Sequence, residues 1–149
     1  MGLPTTLAVL RRRTFLAGAG ALALIGVIAF MYAGSMDWGP PGTLRYIEYE
    51  RANRLVGLPW LATAVLLAIL LRWSPRVGVG VAFVGSALII VGSVSEFWVL
   101  TDVSYRDPIR ATAWTTFLLG HLVFLVGYLG AWLQARRVEP AGSSTLPYS

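Results

Sequence analysis

Cysteine is absent from the 149 residues. That excludes a structural disulfide, a thiol redox pair, thiolate-held iron–sulfur clusters and a cysteine nucleophile. Membrane folds that run quinone-coupled thiol chemistry through a CxxC pair are excluded with them. Lysine is absent too: all 12 basic residues are arginine. Charge of either sign is scarce, 13% of the chain against the ~25% usual in soluble domains. Histidine occurs once, and no run alternates polar and apolar residues as a β-barrel strand would.

What is present is apolar. The chain is 56% hydrophobic with a mean hydropathy of +0.68. A folded chain of this size leaves much of its surface exposed, so a surface of this composition needs lipid as its solvent. Four runs are long enough, or nearly so, to cross about 20 residues' worth of hydrocarbon: residues 14–34, 55–71, 77–100 and 111–135. These define one transmembrane domain over residues 1–137, followed by a Pro/Ser/Gly tail, 138–149, expected to be disordered. Between the first two runs, Asp37 to Gly42 reads as a turn. The mixed-charge segment Thr43 to Arg54 reads as a helix at the interface, with Thr43 as its cap. The expected fold is therefore all-α: an integral membrane four-helix transmembrane bundle with a short amphipathic interfacial helix between helices 1 and 2.

Orientation follows from arginine near span ends. Arg11, Arg12, Arg13, Arg72, Arg76, Arg136 and Arg137 fall on the side of the termini, and Arg45, Arg51, Arg54, Arg106 and Arg110 on the other. Asp37, Glu48, Glu50, Asp102 and Asp107 nearly neutralise the second group. Both termini are expected to be cytoplasmic, in the inner membrane of a bacterium. The stretch Arg12-Arg13-Thr14-Phe15-Leu16 resembles a twin-arginine export motif, and Ala33-Gly34-Ser35 follows the apolar run. The ordinary reading, a retained first span with an arginine anchor, is preferred. Met1-Gly2-Leu3-Pro4-Thr5-Thr6 fits a myristoylation template, which four spans make superfluous.

Glu96 interrupts the third run. A carboxylate in a span costs about 2.5–3.5 kcal/mol on insertion scales and turns to the bundle interior. Gly78, Ala82, Gly85, Ile89, Gly92 and Glu96 recur at steps of four and three, so they share one face, flanked by Ser86 and Ser93. Small residues let helices approach closely, and this face is expected to be the packing face. His121, on the fourth run, shares a side with Trp114, Leu118, Leu125 and Tyr128. Depths counted from the helix ends put Glu96 and His121 about one turn apart at 1.5 Å per residue. The pair reads first as an interhelical hydrogen bond and second as a proton relay. Trp38, Trp60, Trp98 and Trp114 are expected at the outer boundary and Trp73 and Trp132 at the inner one, as an aromatic belt. Leu67→Val is expected to be nearly silent if that side of the second run faces lipid.

No cofactor beyond lipid contact is expected. A b-type haem would need a second axial ligand beside His121; Met31 is the conceivable one and is read instead as a lipid-facing or packing residue. One His and one Glu do not fill a metal shell. Ser93 and Ser95 lie near Glu96, but serines in membrane helices bond their own backbone. Nucleic acid is not an expected partner, because no soluble module remains to bind it. The leading expectation is a non-catalytic integral membrane subunit, accessory or scaffold protein of a bacterial membrane complex. Its partners would be the lipid bilayer and other integral membrane subunits, or itself as a homo-oligomer. The outer segment with Arg45, Glu48 and Arg51, together with residues 102–110, carries both signs and suits a protein partner. The alternative is a small oligomeric transporter or proton-linked permease using Glu96 and His121, with a membrane-embedded enzyme third.

Overall fold

In hydrocarbon every backbone N–H and C=O must be paired within the protein, and a helix achieves this within one segment. The computed structural model describes the backbone of residues 5–36, 39–40, 42–73, 76–101 and 107–137, and side chains within 11–36, 39–40, 42–73, 76–95 and 111–137. The described chain forms four helices: α1 (Thr5–Ser35), α2 (Leu44–Trp73), α3 (Val77–Thr101) and α4 (Asp107–Arg137). Each contains a stretch long and apolar enough to cross a membrane. The chain is a multi-pass membrane protein built as an all-α four-helix bundle. The tail at 138–149 lies outside the described residues.

Three boundaries differ from those read in the sequence. Helix α1 starts at Thr5, because nothing between Pro4 and Thr14 breaks a helix, and the three arginines lie inside it. Helix α4 starts at Asp107, with Pro108 in the first turn, where its missing N–H costs nothing. The expected interfacial segment is helical but continuous with the second span as one helix of 30 residues. The change from charged to apolar residues at Arg54–Leu55 changes the solvent and not the backbone preference, so the helix runs through it. Its start is capped as expected: the Tyr46 N–H donates to Thr43 Oγ1 at 3.3 Å. Gly39 and Gly42 take φ of 51° and 87° to make the turn before it.

Successive helices run antiparallel. In the α1–α2 pair, Phe15 meets Trp73 near one end and Gly26 lies against Trp60 further along. Across α2–α3, Leu71 lies against Gly80. Helices α1 and α4 make few backbone approaches and meet mainly through aromatic side chains. Leu67 does not face lipid: it is fully buried, with Val56, Trp60 and Leu70 on the same face of α2. Leu67→Ala is therefore expected to cost about 2–5 kcal/mol, whereas the exposed Val65 can be cut to Ala almost without effect. Thermal unfolding in detergent compares the two directly, and equal midpoints would return Leu67 to the lipid side.

Candidate functional site

The face formed by Gly78, Ala82, Gly85 and Gly92 lies against α4. A methyl group added at Gly85 would fall on the backbone of Phe124, at Gly92 within 2.7 Å of the Phe117 nitrogen, and at Gly78 within 2.6 Å of the Ala131 nitrogen. From the other side, Gly120 lies against Ile89 and Gly127 against Ala82. The two helices thus pair Gly92 with Phe117, Ile89 with Gly120, Gly85 with Phe124, Ala82 with Gly127 and Gly78 with Ala131. Every pair contains one glycine. At each glycine the main chain of the other helix comes into the space a side chain would take, so the two backbones lie close along the seam. The α4 half of this seam was not singled out in the sequence. Its signal was available: Ala113, Phe117, Gly120, Phe124, Gly127 and Ala131 repeat the same steps of four and three. Ser93 flanks the seam and bonds its own helix, Oγ donating to the Ile89 carbonyl at 2.9 Å, while the fully buried Ser86 hydroxyl has no hydrogen-bond partner among the described residues.

This pairing also fixes axial depth. Continued by one turn, it sets the Glu96 backbone level with Ala113, eight residues and about 12 Å along the axis from His121. The separation is about two turns, not one, because α4 begins a turn earlier than its apolar run. The Glu96 side chain itself lies outside the described residues, as do those of residues 102–110.

His121 is half-buried and turned toward α1 and α2. Its ring lies 4.5 Å from the Phe117 ring, 5.0 Å from Trp60 edge-on and 6.5 Å from Phe30, centroid to centroid. Nδ1 is 2.8 Å from the Phe117 carbonyl oxygen. A carbonyl only accepts, so Nδ1 carries the hydrogen and donates, which leaves Nε2 as the one ring nitrogen open to another partner. Of the residues expected beside His121, Trp114 and Tyr128 turn inward with it, while Leu118 and Leu125 are exposed. The face splits because a helix turns 100° per residue and only the seven-residue steps stay aligned.

Around His121 the core is aromatic. Trp60 is 1% exposed and packs edge-on against Phe124 at 5.2 Å. It is not part of a boundary belt, because α2 begins well before its apolar run and carries Trp60 deep into the bundle. Room for it is made by Gly26, where an added methyl would sit 2.6 Å from the indole Nε1, a nitrogen without a hydrogen-bond partner among the described residues. Gly20 does the same for Tyr128, whose hydroxyl donates to the Leu16 carbonyl at 3.3 Å. Trp114 packs on Phe30 at 5.6 Å. Trp73 is exposed at the arginine-rich end, with the Arg11 guanidinium 3.9 Å above its ring; Trp38 and the Trp98 side chain lie outside the described residues. Met31 is exposed, while its neighbour Phe30 meets His121.

Two spaces border the α2–α3 seam on the half nearer the start of α2. A cavity of about 160 Å³ is lined by Asn53, Arg54, Gly57, Ser93 and Val94. Beyond it a space of about 10 Å³ is walled by Phe30, Asn53, Val56, Ser93 and Phe117, which is no more than one water occupies. At the opposite end a cavity of about 390 Å³ opens between α1 and α4, lined by Arg13, Trp132, Ala135 and Arg136. Among the described residues, no three His, Asp or Glu side chains converge as metal ligands would. No protein family, no curated protein and no solved structure matches the chain.

Proposed function

We propose that this chain is a non-catalytic integral membrane subunit or accessory protein of a bacterial membrane complex, acting through its surfaces and not through its interior. The observation that carries this reading is the filled core: Trp60, Phe117, His121 and Phe124 occupy the space a pathway would need, and the space beside Phe117 is only about 10 Å³. A surface suited to a partner lies on the first part of α2. Leu44, Ile47, Glu48, Arg51 and Leu55 form one exposed stripe, opposite buried Tyr49, Ala52 and Val56. Charge of both signs beside exposed leucine and isoleucine fits a protein partner better than bulk anionic lipid.

Extraction from native membranes in mild detergent tests this reading. A stoichiometric second membrane protein that leaves when Glu48 and Arg51 are reversed in charge supports it; a pure homo-oligomer favours the transport alternative. The inner membrane with both termini cytoplasmic is part of this proposal, supported by the bias of arginines toward the end shared by Arg11, Arg72, Arg76 and Arg136. Single cysteines at Ser74 and Ser143 are expected to be shielded from an impermeant thiol reagent in intact cells, while one at Gly42 reacts. Native cysteine is absent, so the background is clean. Reaction at Ser143 but not at Gly42 inverts the orientation, and opposite behaviour of Ser74 and Ser143 breaks the four-span count.

A further inference from the structure

We infer that the cavity between α1 and α4 is a seat for the phosphate of an anionic phospholipid. Helices α1 and α4 are the loosest neighbouring pair in the bundle, and at their arginine-rich end the seam opens to about 390 Å³, with Arg13 on one rim, Arg136 on the other and Trp132 and Ala135 between. That volume lies within the range of ~300–1,000 Å³ that holds small ligands. Arg13 and Arg136, from different helices, both border this space, and a planar guanidinium fork suits phosphate oxygens.

A second observation points the same way. Next to Arg13, the Arg12 Nε and Nη2 are shielded from water and have no hydrogen-bond partner among the described residues. The charge they meet is another cation, Arg76, from the turn before α3. Six of the seven acidic residues, all but Glu139, fall in the sequence beyond the opposite end or toward it. Buried donors without acceptors and like charges at close range both cost free energy. Arg12 does not line the cavity, so an anion seated there would act on it through charge and lower the like-charge cost.

The source of the phosphate is read from the walls. Trp132 lies under the Arg136 guanidinium at 5.8 Å, and Leu129 and Leu133, a turn or two further into the membrane on α4, are exposed. A headgroup held between the arginines would lay its acyl chains along those leucines. A soluble phosphate would gain nothing from them.

The test uses the purified full chain in a neutral detergent, titrated with short-chain phosphatidylglycerol, short-chain phosphatidylcholine or inorganic phosphate, with thermal unfolding as the readout. Phosphatidylglycerol is expected to raise the midpoint saturably and phosphatidylcholine to leave it unchanged. The Arg13→Gln/Arg136→Gln variant is expected to need roughly tenfold more phosphatidylglycerol for the same shift, through loss of charge-assisted hydrogen bonds. Arg51→Gln, at the other end, should behave as the parent. Inorganic phosphate matching phosphatidylglycerol would keep a phosphate seat but overturn its assignment to lipid. Equal responses to the two lipids, or an unchanged titration in the double variant, would overturn the site. If the double variant does not fold, native mass spectrometry of the parent released from equimolar phosphatidylglycerol–phosphatidylcholine vesicles decides. Enrichment of phosphatidylglycerol supports the seat, and retention at the bulk ratio overturns it.

Discussion

Gly85→Leu is expected to separate α3 from α4 and to lose most of the thermal stability of the bundle. The atoms in the way are the backbone of Phe124 and the carbonyl of Gly120, so no rotamer change relieves the clash and one helix must move. Inserting even single methylenes into a packed core costs about 1–3 kcal/mol, and a leucine against backbone lies at or above the top of that range. Gly92→Leu, set against the Phe117 backbone, should behave in the same way. Trimming Phe124 to Ala should not rescue Gly85→Leu, since the obstruction is main chain. Gly57 is the control: nothing lies within 4 Å of a methyl group placed there, and Gly57→Ala should be neutral or gain up to about 1 kcal/mol from helix propensity. Equal unfolding midpoints for Gly85→Leu, Gly57→Ala and the parent would mean that α3 does not pack through this ridge.

Trp60→Ala is expected to cost about 3–5 kcal/mol, the range for a buried aromatic cut to Ala. The indole fills the space between Gly26 of α1 and the rings of His121 and Phe124 on α4, so its removal opens a cavity where three helices meet. Trp73→Ala is the comparison, because Trp73 is 54% exposed and chiefly meets Arg11 and Phe15. It should lose about 1 kcal/mol or less, the scale of an exposed cation–π contact. Similar losses for the two variants, measured by thermal unfolding in the same detergent, would return Trp60 to the membrane boundary.

Trp60 shows what a membrane sequence encodes openly and what it does not. Hydropathy reports where lipid begins, not where a helix begins, and Trp60 lies near the start of an apolar run yet far inside α2. For the same reason α4 begins a turn before its apolar run, and Glu96 and His121 lie further apart than the run ends suggest. What was legible was the number of spans, the Thr43 cap and the small-residue face of α3, because each rests on a local pattern: run length, a capping residue, steps of four and three. The partner face on α4 follows the same steps but alternates glycine with phenylalanine, so no stripe of small residues marks it. Leu67 was illegible for another reason. In a span, core-facing and lipid-facing positions are equally apolar, and only contact with the other helices separates buried Leu67 from exposed Val65. The α1–α4 cavity likewise depends on how two distant segments meet, which arginines counted along the chain do not reveal.

The claim that this bundle is closed, and acts through its surfaces, is tested most directly by proton flux into liposomes holding the purified protein under an imposed pH gradient. The aromatic packing around His121 leads to the expectation that parent and Glu96→Gln proteoliposomes both leak no faster than protein-free vesicles. Protein-dependent flux that disappears in Glu96→Gln would contradict the account and establish a proton path through the bundle.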